Sequence, residues 1–231
     1  MAPILKSRVE HHRGHSVLAF PAGSRPLVID AGAHRGEFAA SVHAAWNARC
    51  HAIEASPALF ARLALPPGTR AHHFALGGAD GTATFALADN PEASRAVGGD
   101  AAGITVPARG LGSFLAEVAP DGVDLLKLDI EGAEIAALAS LGDDQLAAIG
   151  QLTVEFHDWC GQASRAEVDR AIARLRGLGF VAFNLSFHNR SDMLFVNRRS
   201  CRLSAWDRWR IGVWHRFSAG LRRIVARRLA A

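Results

Sequence analysis

The strongest constraint on the fold of this chain is an apolar run that leads into a glycine turn and then into a helical pattern. Leu27–Ala31 has the composition of a short strand, Gly32 and Gly36 form the turn, and Gly36–Ala48 has apolar residues at helical spacing. A second predicted strand ends on Glu54, 22 residues after Gly32. In such a unit the glycines let the backbone approach a nucleotide, and the acid binds the ribose hydroxyls. The pattern therefore predicts a nucleotide-type binding site.

The remainder of the chain alternates short β-like runs with helical patterns, which predicts an α/β fold around a mostly parallel sheet. Further strands are predicted at Cys50–Glu54, Arg70–Leu76, Thr82–Ala88, Val123–Ile130 and Ile149–His157, followed by an antiparallel pair, Phe180–Phe187 and Met193–Asn197. Helices are predicted at Pro57–Leu63, Ser113–Val118, Ala133–Leu141 and Ala166–Leu178. Residues 89–108 are rich in glycine, asparagine, proline and serine and are predicted to form a loop.

Length and composition indicate a globular protein. Hydrophobic residues make up 49% of the 231 residues and charged residues 21%, which excludes a disordered or fibrous chain. No apolar run reaches the roughly 18 residues of a transmembrane helix, and the N-terminus lacks the apolar segment of a secretory signal. The three cysteines are widely spaced, which indicates neither a disulfide framework nor a metal site. We therefore expect a cytoplasmic protein.

The charge is divided unequally along the chain. Residues 1–197 carry 16 basic and 21 acidic residues, whereas residues 198–231 carry ten arginines and a single acid. A tail of residues 202–231 is expected to follow a body of residues 1–201, and residues 203–229 have the spacing of an amphipathic helix. Two roles for its apolar stripe stay open: peripheral contact with the inner face of a membrane, or packing on the body or another subunit. The acidic body argues against a nucleic-acid partner.

The residues around the glycine turn separate two classes of ligand. A dinucleotide pyrophosphate favours glycine at the positions that His34 and Glu37 occupy, and Glu37 adds negative charge to the first helical turn. Asp30 adds a further acid at the end of the strand. An acidic pocket suits the cationic sulfonium and ammonium groups of S-adenosylmethionine better than it suits a pyrophosphate. We therefore expect S-adenosylmethionine as the ligand. The alternative is NAD, which would make the protein a NAD-dependent oxidoreductase.

A second set of polar residues follows two later strands. Asp129 ends one strand and Glu131 follows it, while Glu155 and His157 end the next strand. Because the carboxyl ends of parallel strands meet at one edge of a sheet, Asp129, Glu155 and His157 are expected to converge. They could deprotonate a hydroxyl, with His157 titrating near neutrality, or hold a divalent cation. For His157, a structural role is the alternative. For Glu131, capping of the next helix is a structural alternative.

Two further observations concern residues outside this set. Lys127 lies in an otherwise apolar strand, so its charge requires a partner if the side chain is buried. His11, His12 and His15 cluster near the N-terminus, and we expect them to lie in water at the surface, with adventitious metal binding as the alternative.

Six runs together are similar to one protein family. In chain order over residues 27–197 they are VIDAGAHRGEF, IEASP, ALGGADGTATF, LLKLDIEGAE, TVEFHDW and SDMLFVN. The succession of VIDAGA and LKLDIEGAE is specific, and it resembles the FkbM-family methyltransferases. The resemblance implies a class I methyltransferase (Rossmann-like) fold, with a mostly parallel seven-stranded sheet whose last strand is antiparallel. It also implies O-methylation of a hydroxyl on a sugar or a secondary metabolite, so that the partner is a small-molecule or glycan acceptor.

The resemblance also implies roles for individual residues. Four residues would line the methionine part of the cofactor: Asp30, Gly32, Ala33 and Gly36. Glu54 would bind the ribose, and the adenine would lie near Ala75, Leu76 and Gly77. Asp129 and Glu131 would stand at the mouth where the methyl group is transferred. A third hypothesis is a non-catalytic module that docks through the tail; the intact set of Gly32, Gly36, Glu54 and Asp129 argues against it.

Overall fold

A seven-stranded sheet forms the centre of the protein. The computed structural model describes residues 5–86, 96–97, 103–158, 163–186 and 189–215. The seven strands are β3 (Leu27–Ala31), β4 (Arg49–Glu54), β5 (Thr69–His73), β10 (Val123–Leu128), β11 (Ile149–Val154), β12 (Phe180–Asn184) and β13 (Met193–Asn197). They lie in the order β12-β13-β11-β10-β3-β4-β5, and β13 runs antiparallel to both of its neighbours while the other pairings are parallel. The predicted α/β fold, including the antiparallel last strand, is confirmed.

Apolar side chains fill both faces of this sheet. Consecutive residues of β3 belong to opposite cores, Val28 to one and Ile29 to the other, as strand alternation requires. On the Val28 face, α1 (Glu37–Trp46) buries Phe38, Val42 and Trp46. On the Ile29 face, the packed helices are α3 (Leu111–Val118), α4 (Glu134–Ala139), α5 (Asp143–Ala147) and α6 (Arg165–Gly177). The short helix α2 (Pro57–Phe60) begins after Ser56, whose hydroxyl accepts the Leu59 amide.

A second, four-stranded sheet lies beside the first, and the sequence did not predict it. Its strands are β6 (Ala75–Gly77), β7 (Gly81–Ala86), β8 (Ala96–Val97) and β9 (Gly103–Gly110), in the order β6-β9-β7-β8. The single strand predicted at Arg70–Leu76 is wrong, because the chain leaves the large sheet after His73 and enters the small one at Ala75. The loop predicted at 89–108 is wrong for Ala96–Val97, which form β8, and for 103–108, where β9 pairs with both β7 and β6 despite its glycine and proline. The rest of that predicted loop lies outside the described residues.

An N-terminal hairpin packs against the large sheet. Strands β1 (Val9–His12) and β2 (His15–Leu18) are joined by Arg13 and Gly14, which both have positive φ, as tight hairpin turns require. The Gln151 side chain on β11 accepts a hydrogen bond from the Leu18 amide and donates one to the Leu18 carbonyl. These backbone groups of β2 are therefore bonded as a neighbouring strand would bond them. The hairpin buries two histidines, so the expectation that His12 and His15 lie in water is wrong.

The chain after β13 turns into a short helix. The segment α7 (Ala205–Trp209) continues as a π-helical turn over Arg210–His215. Of the amphipathic helix predicted over 203–229, the structure describes these two helical segments, and residues 216–229 lie outside the described residues. Among the helices that the structure describes, none has the length and apolar composition needed to cross a membrane.

The topology places two loops in contact where the strand order reverses, the loop after β3 and the loop after β10. The chain proceeds from β3 to β4 and β5 on one side, whereas β10 and β11 lie on the other. Ligands of open α/β sheets bind at the carboxyl ends of the strands at such a point. Here Gly32, with φ of +81°, packs so tightly that an added Cβ would lie 1.8 Å from the carbonyl oxygen of Asp129.

The close approach at Gly32 can be tested with two matched glycine substitutions. Gly68 has the same φ of +81° but no atom within 4 Å of an added Cβ. We expect Gly68→Ala to cost about 1–2 kcal/mol of folding stability from backbone strain alone. Gly32→Ala should cost about 1–3 kcal/mol more, because the backbone of residue 129 must move. Urea unfolding of both variants measures the difference, and equal losses would contradict the packing described here.

Candidate functional site

A cavity of about 380 Å³ opens at the carboxyl ends of β3, β4 and β10. Its described wall contains three acids, Glu54, Asp129 and Glu131, and no lysine or arginine. The remainder of the wall is largely apolar, with Ile53, Leu76 and a series of small residues. The cavity can therefore accept a ligand that carries positive charge beside an apolar group.

Glu54 is held rigidly at the edge of the cavity. One of its carboxylate oxygens accepts the Ser56 amide and the other accepts the His34 amide, each at 2.8 Å. Burial raises the pKa of Glu54, and these two hydrogen bonds work in the opposite direction. Each oxygen has a second lone pair, so the carboxylate can still accept a hydroxyl from a ligand.

Below the glycine turn, a buried ion pair joins the two central strands. Lys127 Nζ lies 3.1 Å from Asp30 Oδ1 and donates to the Gly32 carbonyl at 2.5 Å. Burial disfavours the lysine charge, but Asp30 and Asp129 outweigh burial and raise the pKa of Lys127. Asp30 is completely buried, and its carboxylate is the partner that the charge of the buried Lys127 requires.

The Asp129 carboxylate lies at the mouth of the cavity among three nitrogen-bearing side chains. Its oxygens are 3.4 Å from His15 Nε2, 3.7 Å from Lys127 Nζ and 3.9 Å from His157 Nε2. Burial works to raise the pKa of Asp129, but His15 and Lys127 reverse that effect and hold it well below its usual range. Asp129 is therefore a carboxylate at any physiological pH.

His157 faces carboxylates through both ring nitrogens. Its Nδ1 lies 2.9 Å from Glu134, and its Nε2 lies 3.5 Å from Glu131. Burial would lower the pKa of His157, but the hydrogen bond to Glu134 and the nearby acids raise it to about 9. The expectation that His157 titrates near neutrality therefore does not agree with its surroundings, which keep the imidazole protonated.

Two overlapping groups of side chains could hold a divalent cation at this mouth. One is His15, Asp129 and Glu155, and the other is Asp129, Glu131 and His157; in each group the ligand atoms lie within 4.8 Å of one another. The second group already has its imidazole bonded to Glu134. The predicted convergence of the residues that end β10 and β11 is thus observed.

The residues expected around the cofactor divide into two sets. Gly32, Glu54, Ala75 and Leu76 line the cavity, together with Gly77. Three others do not line it: Asp30, Ala33 and Gly36. Asp30 is turned toward Lys127 beneath the turn. Gly36 immediately precedes α1, and an added Cβ there would lie 2.8 Å from the Ala64 carbonyl oxygen.

One residue of the mouth, His15, was expected at the surface and not beside Asp129. It comes from the N-terminal hairpin, and the neighbouring Ser16 fixes the strand by bonding Asp192 through its amide and its hydroxyl. The Arg13-Gly14 turn followed by Val17 and Leu18 is a hairpin signal that could have predicted the strand, although not its docking position.

Comparisons with known proteins identify the family of the chain. The model of the Methyltransferase FkbM domain matches residues 30–182. Among solved structures, the chain is similar to a TehB-like SAM-dependent methyltransferase from Corynebacterium glutamicum, with 15% identity and a TM-score of 0.38. That similarity covers 76% of this chain and 79% of the other chain. No curated protein sequence matches the chain.

The protonation of His157 gives a pH-dependent stability. Its pKa of about 9 in the folded protein exceeds its ordinary value of 6.5, so the charged imidazole stabilises the fold fully below pH 6.5. This stabilisation is lost as the pH rises through 9. The unfolding midpoint of the wild type should therefore fall over this range relative to His157→Gln, by roughly 2–4 °C for each kcal/mol lost.

His43→Gln is the matched control, because the His43 ring bonds the Ala48 carbonyl rather than a carboxylate. It should reproduce the wild-type profile in the same calorimetric scans. Parallel profiles for the wild type and His157→Gln would contradict the charged state.

Proposed function

The chain belongs to the FkbM methyltransferase domain family, and from this premise we propose that it methylates a hydroxyl oxygen of a sugar or a secondary metabolite. It is an S-adenosylmethionine-dependent methyltransferase; the oxygen acceptor and its class are the proposal. One observation carries it: Asp129 faces the same cavity as Gly32, Glu54 and Leu76. A proton acceptor is thereby next to the residues expected at the cofactor.

The cavity has the chemistry that S-adenosylmethionine requires. Its three carboxylates favour the cationic sulfonium and ammonium groups, and its apolar wall suits the adenine. A dinucleotide would bring two phosphate charges to the same carboxylates, which argues against the oxidoreductase alternative. Gly32 and Glu54 would hold the methionine and ribose parts, with Ala75 and Leu76 beside the adenine. When bound, S-adenosylmethionine supplies an electrophilic methyl group.

Asp129 is the proposed proton acceptor. The acceptor hydroxyl becomes strongly acidic as its oxygen takes the methyl group, so a carboxylate of low basicity suffices if it is already in position. His15, Lys127 and His157 hold Asp129 in that position from three sides. Because His157 is protonated, we propose that it orients Asp129 and Glu131 and does not accept the proton itself.

Glu155 and Glu131 are proposed to contact the acceptor or a cation beside Asp129. Burial raises the pKa of both carboxyls, so each is a better proton acceptor than Asp129 once ionised. A divalent cation in either group of ligands would lower the pKa of the acceptor hydroxyl. The acceptor that fits these contacts is a small molecule or a glycan with a free hydroxyl.

Asp129→Asn separates the proposed reaction from cofactor binding. Asparagine keeps the size of the side chain but cannot accept the proton, so turnover should fall by about 100-fold or more. The affinity for S-adenosylhomocysteine should change by less than about threefold, since this ligand lacks the sulfonium charge and Glu54 and Glu131 still line the cavity. Turnover is measured on a panel of hydroxylated acceptors, with and without EDTA. Unchanged turnover would end this assignment.

Glu54→Gln tests the proposed contact with the ribose. The amide retains only one of the two backbone bonds and loses the negative charge, so S-adenosylhomocysteine should bind about tenfold more weakly by calorimetry. Asp124→Asn is the matched control: its carboxylate also accepts a backbone amide, that of Leu27, but at the opposite edge of the sheet. An affinity reduced equally in both variants would count against the ribose contact, and binding of NAD by the wild type would count against the cofactor.

A further inference from the structure

Three apolar side chains at the end of the described chain face solvent. Trp206 is 65% exposed, Trp209 is 49% exposed and Val213 is 39% exposed. The two indole rings stack on each other, with centroids 4.9 Å apart. Together, Trp206, Trp209 and Val213 form what we call the tryptophan surface. Exposure of two neighbouring tryptophans on a folded segment indicates a surface made for contact.

The segment that carries the tryptophan surface is firmly attached to the body. Ile211 is completely buried, and Leu203 and Cys201 are nearly so, all within the core on the α1 face of the sheet. Ser204 caps α7 by accepting the Asp207 amide, and Arg210 donates to the Ser7 carbonyl. The described part of the predicted apolar stripe, Trp206, Trp209 and Val213, therefore points outward, while Ile211 makes the packing contact.

The charge around the tryptophan surface is positive. Arg198, Arg199, Arg202 and Arg208 are exposed on the same stretch of chain. The single acid of residues 198–231, Asp207, is already bonded to Ser204 and Arg210. The sequence that follows, 216–231, adds five arginines and no acid.

We propose that the tryptophan surface docks the protein on an anionic lipid bilayer. Indole rings lie at the level of the lipid headgroups, and arginines nearby pair with lipid phosphates, so the two features together match a membrane surface. A nucleic-acid strand fits less well, because bases stack on free aromatic faces and each indole already covers one face of the other. This docking does not depend on the methyl acceptor.

Vesicle sedimentation with the full-length protein tests the proposal. Two vesicle preparations are compared: phosphatidylcholine alone, and phosphatidylcholine with about one third phosphatidylglycerol. We expect binding to the anionic vesicles to be at least about tenfold stronger, and to weaken when salt is raised from about 0.1 to 0.5 M. The double variant Trp206→Ser, Trp209→Ser should lose about tenfold or more in affinity for the anionic vesicles.

Matched controls test whether binding depends on this surface or on any exposed apolar or basic residue. Ile104→Ser removes another exposed apolar residue, 38% exposed on β9, and should bind vesicles as the wild type does. Arg170→Glu with Arg176→Glu reverses two exposed charges on α6 and should also have little effect, whereas Arg199→Glu with Arg208→Glu should weaken binding. Thermal midpoints verify that every variant is folded.

Several outcomes would overturn the proposal. They are absence of sedimentation, equal sedimentation with both vesicle types, and wild-type binding by the tryptophan variant. A dimer in light scattering that this variant converts to monomers, without vesicle binding, would assign the surface to a second copy. Binding of a single-stranded oligonucleotide that the variant abolishes would assign it to nucleic acid.

Discussion

The buried pair of Lys127 and Asp30 is the interaction on which the site depends. It joins β10 to β3 at the point where the strand order reverses, and Lys127 Nζ also holds the Gly32 carbonyl. Removing one partner of a buried ion pair leaves an uncompensated charge, at a cost of about 3–5 kcal/mol. The glycine turn after β3 and Asp129 after β10 both contact this lysine, so Lys127 fixes the two sides of the cavity relative to each other.

The site also depends on an element outside the matched family domain. The family model covers residues 30–182, whereas His15 lies on the N-terminal hairpin. The hairpin is fixed by Gln151 and Asp192, which reach it from the sheet and from the turn before β13. The Gln151 and Asp192 side chains therefore hold the hairpin so that His15 lies beside Asp129, and His15 brings a ring nitrogen to the mouth from outside the matched residues.

Local patterns predicted the large sheet and the convergence at its edge, because strand alternation and parallel pairing fix where β10 and β11 end. Asp129 and His157 were placed together from that geometry alone, and Lys127 was recognised as a charge that needs a partner. The small sheet was missed because β9 contains Gly103 and Pro107, and its pairing with β7 is not encoded locally. His15 was missed for the same reason, since the docking of a hairpin depends on tertiary contacts.

The charged side chains at the mouth fix the position of the Asp129 carboxylate and at the same time lower its basicity. Asp129 is a weak base because His15, Lys127 and His157 stabilise its negative charge. The same three groups restrict where its oxygens can lie, and a hydroxyl oxygen that is forming a bond to carbon gives up its proton readily. A carboxylate fixed at the correct distance then contributes more than a stronger base that must first be ordered. In the proposed mechanism the clustered charges around Asp129 would lower the barrier by pre-organisation, since His15, Lys127 and His157 already hold its carboxylate in place.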